Sequence, residues 1–78
     1  MPNLRLFAQA REAAGTGRDH VPGSTVAEVL TAARERYGDD FVRVSAGCRI
    51  WVNGMPADAS ASVGDDDEVA LLPPVSGG

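Results

Sequence analysis

The chain of 78 residues has no lysine: all seven basic residues are arginines, set against eleven Asp and Glu for a net charge of −4. An acidic balance of this kind lacks the basic excess that phosphate backbones require, so no nucleic-acid partner is expected and a basic protein partner suits the chain better. The missing lysines have two readings, the codon preference of a GC-rich genome or the advantage of carrying no ε-amine that would capture an activated C-terminus. Cysteine and histidine occur once each, as Cys48 and His20. A single thiol excludes an internal disulfide, and one Cys with one His cannot complete a structural zinc site, so no metal and no bound cofactor are expected. Apolar runs are a few residues long, far short of the roughly 20 that cross a bilayer, and Met1-Pro2-Asn3-Leu4 has neither the basic nor the apolar region of a signal peptide. A cytoplasmic protein with no membrane partner is the expectation.

What is present is an ordinary globular composition, 44% hydrophobic and 23% charged, in a length that supports one domain. Leu4, Leu6 and Ala8 alternate with Arg5, Phe7 and Gln9 as in a half-buried strand. The segment from Gln9 to Gly15 is short and ends in glycine, which reads as a helical turn and a loop. Arg18 to Val21 forms a possible short return strand, stopped by Pro22-Gly23. Thr25 followed by Glu28 is a capping box, and Val26, Val29, Leu30, Ala33 and Tyr37 behind it make one apolar stripe, predicting a helix of about 13 residues that ends at Gly38. Asp39 to Gly47 is weakly periodic and reads as a loop with core contacts through Phe41, Val42 and Val44. Cys48, Ile50 and Val52 alternate with Arg49 and Trp51 before Asn53-Gly54, a strong hairpin signal, with a return strand expected over Pro56 to Ser60. An acidic turn from Val63 to Glu68 reads as solvated, since it lacks the alternating ligands of a calcium loop. Val69 to Leu72 is a last strand closed by Pro73-Pro74. One main helix on a mixed sheet of four to five strands is α+β, and this order predicts a β-grasp domain over residues 1–74 with a flexible tail over 75–78.

Side-chain catalysis has little to work with. His20 lies beside Asp19 ahead of a turn, Cys48 heads an apolar strand face, and no P-loop, G-x-S-x-G or G-x-G-x-x-G pattern occurs. The terminus is the unusual part. Pro73-Pro74 holds the chain extended, and the six residues from Pro73 to Gly78 reach at most about 20 Å. Val75, Ser76 and Gly77 are therefore expected to thread a partner's channel, with glycine presenting bare backbone there. The Gly78 carboxylate is the reacting group: a carboxylate acylates only after activation, and an acyl-adenylate made with ATP is open to a sulfur nucleophile that leaves a thiocarboxylate.

Leu6 to Gly15, Val52-Asn53-Gly54, and above all Asp67 to Gly78 with its Leu71-Leu72-Pro73-Pro74-Val75-Ser76-Gly77-Gly78 ending resemble the molybdopterin synthase small-subunit (MoaD) family, ubiquitin-like sulfur carriers related to ThiS. The resemblance covers nearly the whole chain and is most specific over the last twelve residues. It implies an E1-like adenylyltransferase (MoeB-like) that spends ATP to activate Gly78, and a sulfurtransferase that loads it. It further implies a large synthase subunit (MoaE-like) that catalyses sulfur transfer to cyclic pyranopterin monophosphate within a heterotetramer. Partner contacts would come from Arg11, Phe7, Trp51, Leu72, Pro73 and Pro74. Alternation supports part of that surface by itself: if Leu4, Leu6, Ile50, Val52, Val69 and Leu71 face the helix, then Arg5, Phe7, Arg49, Trp51, Ala70 and Leu72 face away, with Phe7, Leu72 and Trp51 in a row. Carriers for thiamine thiazole or cysteine synthesis, and ubiquitin-like modifiers joined to lysines, share the Gly-Gly ending and remain alternatives.

Overall fold

The computed structural model describes residues 1–74, so the expected tail over 75–78 lies outside the described residues. Eight elements follow one another: β1 (Asn3–Leu6), α1 (Ala8–Ala14), β2 (Arg18–His20), α2 (Val26–Tyr37), α3 (Asp39–Ala46), β3 (Arg49–Val52), β4 (Met55–Pro56) and β5 (Glu68–Leu72). The strands form one mixed sheet in the order β2-β1-β5-β3-β4, with β1 parallel to β5 and the other pairs antiparallel. The last strand thus fills the centre, between the first strand and the hairpin, which is the β-grasp arrangement.

Alternation along the central strands sorts their side chains as expected. Leu4, Leu6, Val69 and Leu71 are buried against Val26, Val29, Leu30 and Ala33 of α2, and Ile50 and Val52 pack at the edge of this core. The capping box forms: the Thr25 hydroxyl accepts from the Glu28 N–H at 3.2 Å, while the Glu28 carboxylate accepts from the Ser24 N–H and hydroxyl, each at 2.8 Å. The 59–63 segment fastens the same helix start through Val26 N–H to Ala61 C=O and Ala27 N–H to Ala59 C=O, both at 2.9 Å. At the β3–β4 turn Asn53 and Gly54 take φ values of 52° and 81°, the left-handed pair that a two-residue hairpin needs.

Three expectations are corrected. The stretch from Gln9 to Gly15 is not a single turn but most of α1, seven residues long, with Ala10 fully buried and the helix packed on α3. Tertiary contact supports a helix too short to stand alone. Asp39 to Gly47 is not a loop: it forms α3, which begins directly after Gly38 with Asp39 and Asp40 in its first turn, where the helix dipole favours them. Phe41 and Ser45 face inward and are buried, whereas Val42 is exposed. Ser45 hides the apolar stripe from a sequence reading, yet it is satisfied, donating to Val42 C=O at 3.1 Å and accepting from Arg34 Nε at 2.9 Å. The return strand is only Met55–Pro56, because the Asp58 carboxylate takes the Ser60 N–H at 2.9 Å and turns the chain away. The described residues therefore hold two shorter helices, α1 and α3, beside the main helix α2.

Candidate functional site

The structure bears on the site through what surrounds the exit of β5. Because β1 and β5 run parallel with Leu6 beside Leu71, Phe7 and α1 leave β1 at the same end of the sheet from which Pro73 leaves β5. Arg11 is exposed on α1 and lays its side chain along Gly17, with Cδ about as close as a methyl there would allow, so it borders this end without joining the sheet face.

The face turned away from the helices carries Arg5 and Phe7, Arg49 and Trp51, and Ala70 and Leu72, as alternation predicts. Its register differs in one respect from the expected aromatic row. Leu72 pairs with Arg49, while Trp51 pairs one step back with Ala70, whose other neighbour is Arg5. Trp51 and Leu72 are thus diagonal neighbours, still within reach of a large ring. Ala70 is only 8% exposed between the two large side chains that flank it. The Arg5 guanidinium lies 5.1 Å from the centre of the Phe7 ring, a cation–π contact that fixes both on the outer face. Trp51 separates two shallow depressions. One is lined by Arg49, Trp51, Leu72, Pro73 and Pro74 at the exit of the last strand; the other by Cys48, Arg49, Ile50, Trp51, Pro56 and Ala57.

Among the described residues the Cys48 thiol and the His20 imidazole stand apart, on β3's approach and on edge strand β2. Cys48 is half-buried, donates its thiol to Val44 C=O at 3.3 Å, and has its pKa raised by burial, which makes the thiolate scarcer at neutral pH. His20 is exposed on edge strand β2, with its backbone N–H on the Asp19 carboxylate at 2.8 Å. Among the described residues no group of His, Cys, Asp and Glu is arranged to hold a metal ion, and no helix is long and apolar enough to cross a membrane.

The acidic turn, by contrast, is better organised than a solvated loop. The Asp67 carboxylate accepts from Asn53 Nδ2 at 2.9 Å and from the Gly64 N–H at 2.8 Å, and Asn53 Oδ1 accepts from the Glu68 N–H at 2.9 Å. The Asn53 bond first, and the Gly64 bond second, hold Asp67 below its ordinary pKa. These links pin the β3–β4 turn to the start of β5 and so fix the strand that leads into the tail. No sequence pattern singled out Asp67 among its acidic neighbours.

Three similarities set this geometry in context. The chain is 35% identical over 82 residues to the molybdopterin synthase sulfur carrier subunit of Pyrenophora tritici-repentis, covering 97% of this chain and 88% of that protein. Its fold matches the solution structure of small archaeal modifier protein 1 from Methanosarcina acetivorans with a TM-score of 0.85 and 29% identity, over 97% of this chain and 94% of that one. It also matches the fold of a chain in the complex of subunits 1 and 2 of the molybdopterin-converting factor from Helicobacter pylori, with a TM-score of 0.73 and 22% identity over 97% and 96% of the two chains. The model of the ThiS family matches residues 4–78, from the first strand through the terminal glycine, and the chain belongs to that family.

Proposed function

We propose that this chain is the sulfur-carrier subunit of a molybdopterin synthase, with the Gly78 carboxylate as the group that carries sulfur. The observation that carries the reading is the 35% identity, over 97% of the chain, to a protein named as that subunit. In the first step the Gly78 carboxylate attacks the α-phosphate of ATP within an E1-like adenylyltransferase and releases pyrophosphate. A sulfide, or a sulfurtransferase persulfide followed by thiol reduction, then forms the C–S bond as the C–O bond to AMP breaks. The thiocarboxylate donates its sulfur to cyclic pyranopterin monophosphate in the active site of the large synthase subunit, within a heterotetramer. Val75, Ser76 and Gly77 line the partner's channel, and Pro73 and Pro74 space them from the sheet. The cytoplasm, where ATP is available, is the compartment this scheme requires. The complex of the two converting-factor subunits from Helicobacter pylori is a precedent for a large-subunit partner on this fold.

Phe7, Trp51, Leu72 and Arg11 are assigned to partner contact, with the activating enzyme and the large subunit competing for the same face. Replacing Trp51 with Ala is expected to weaken both complexes while leaving the melting temperature of the free chain nearly unchanged. The decisive experiment is intact mass spectrometry after incubation with ATP, a sulfur source and the activating enzyme. The carrier gains the mass difference between sulfur and oxygen; no gain would sink the reading.

A second reading is favoured by the likeness to small archaeal modifier protein 1, which its name describes as a modifier. A modifier forms isopeptide adducts with lysines of other proteins, which a denaturing blot of cell lysate resolves from the free chain.

A further inference from the structure

The sheet ends at β2 on one side and β4 on the other, and an open edge offers its unpaired N–H and C=O groups to any other extended chain. At β4 a proline closes the edge. Val52 faces Met55, and Ala57 N–H donates to Ile50 C=O at 3.0 Å, so the backbone of Pro56 between them turns outward, where it has no N–H to give. β2 has no proline. Its bonds to β1 include Leu6 N–H to Gly17 C=O at 2.9 Å and Val21 N–H to Pro2 C=O at 3.1 Å, and the pairing between them sets Leu4 against Asp19. By the alternation of an antiparallel ladder, Gly17, Asp19 and Val21 turn their backbone groups to β1, while Arg18 and His20 turn theirs outward. Side chains occupy all four of these outward groups. The Thr16 hydroxyl donates to Arg18 C=O at 2.8 Å and accepts from Arg18 N–H at 3.3 Å. The Asp19 carboxylate accepts from His20 N–H at 2.8 Å, and Arg36, reaching across from α2, donates to His20 C=O at 2.8 Å and to Asp19 Oδ2 at 2.9 Å. Tyr37 donates to the same Asp19 oxygen and steadies the carboxylate over the edge. Three side chains thus do for β2 what one proline does for β4.

We propose that β2 is a latent pairing edge for a second copy of this chain, which Thr16, Asp19 and Arg36 hold shut in the monomer. A second copy fits because the antiparallel register centred on Asp19 is self-complementary under a two-fold axis. Arg18 of each copy meets His20 of the other, and four backbone bonds replace the side-chain bonds that are released. The same register sets the two Asp19 side chains directly opposite each other, and like charges so placed disfavour a strand pair. Asp19 therefore guards the edge twice, by occupying a donor and by repelling its own image. The inference stands on the sheet edge and is independent of the carrier reading.

The test is size-exclusion chromatography with light scattering on the full chain and on a triple variant, Thr16→Val with Asp19→Ala and Arg36→Ala, with folding checked by circular dichroism. The wild type is expected to keep the monomer mass as concentration rises, and the triple variant to climb toward twice that mass. Adding His20→Pro removes one outward donor and keeps the residue before it extended, so it is expected to return the triple variant to the monomer. A folded triple variant that stays monomeric overturns the proposal. So does association that survives His20→Pro or grows beyond two copies, and so does a wild type that dimerises under the same conditions. Amide hydrogen exchange of the wild type decides the matter if the triple variant fails to fold. The Arg18 and His20 N–H groups, although at a sheet edge, are expected to exchange about tenfold more slowly than in an unstructured peptide, because side chains hold them. Exchange at the unstructured rate would overturn the guarding role of Thr16 and Asp19.

Discussion

Tyr37 ends α2 with its ring edge-on to Phe41, centroids 5.0 Å apart, and its hydroxyl donating to the Asp19 carboxylate. Burial first, and the Asp19 bond second, push the Tyr37 pKa from 10.0 up to about 12. The Tyr37 bond, opposed in part by desolvation and aided by Arg36, holds Asp19 below its ordinary 3.8. The two shifts act at opposite ends of the pH scale. A raised tyrosine contributes stability that is complete below pH 10 and is lost as pH climbs toward 12. A depressed Asp19 contributes stability present above pH 3.8 and lost as pH falls through its lower folded value. Replacing Tyr37 with Phe is expected to cost about 1 kcal/mol at neutral pH and to flatten both limbs of a plot of melting temperature against pH. As the chain has one tyrosine, absorbance titration reads it directly, and ionisation near pH 10 would contradict the assignment. Gly23 makes a second prediction at this scale. A Cβ there would sit 2.6 Å from the Val29 backbone nitrogen, and the residue has a φ of 151°. Gly23→Ala must therefore displace α2, with an expected cost of about 1–3 kcal/mol in a chemical-denaturation midpoint. The sequence marks Pro22-Gly23 only as a stop signal; that the chain passes directly under a helix turn is a tertiary fact with no local signature.

At the scale of elements, legibility followed the strength of the local code. The strand periods of β1, β3 and β5, the Thr25–Glu28 box and the Asn53-Gly54 turn each state their geometry in adjacent residues, and each formed. α3 did not state its own: Phe41, Val44, Ser45 and Cys48 follow helical spacing, but a polar residue occupies the middle of the stripe, and its burial is made tolerable by the Val42 C=O together with Arg34, eleven residues earlier. α1 is held by Ala10 and α3, again partners that lie distant in sequence. These are the elements whose stability should depend most on single core residues. Phe41 is wholly buried where α2 and α3 meet, and Phe41→Ala is expected to cost about 3–5 kcal/mol, a large fraction of the roughly 5–15 kcal/mol that holds a domain together. Circular dichroism melts of this variant should show a broad, early transition; a wild-type melt would mean that α3 is not part of the cooperative core.

At the scale of the whole molecule, the last strand ends at Leu72, and the proposed function assigns the chemistry to the residues beyond it. The face orientation was readable from alternation, whereas the diagonal placing of Trp51 and Leu72 depended on register, which no single strand encodes. The core runs through Leu71, with its side chain fully buried, and Leu72 completes the pairing with Arg49 on β3. Every buried core residue among those described precedes Pro73. A chain ending at Pro74 is accordingly expected to melt within about 4 °C of the full chain, since changes away from packed groups shift stability by no more than about 0.5 kcal/mol. The same truncation removes the proposed sulfur-bearing carboxylate and must abolish mass gain with ATP, sulfur source and activating enzyme. It should still bind the activating enzyme through Trp51 and Leu72 and compete with the full chain. A truncated chain that unfolds early would place structural weight on the tail; one that folds but neither competes nor binds would move the docking surface from the sheet to the tail itself.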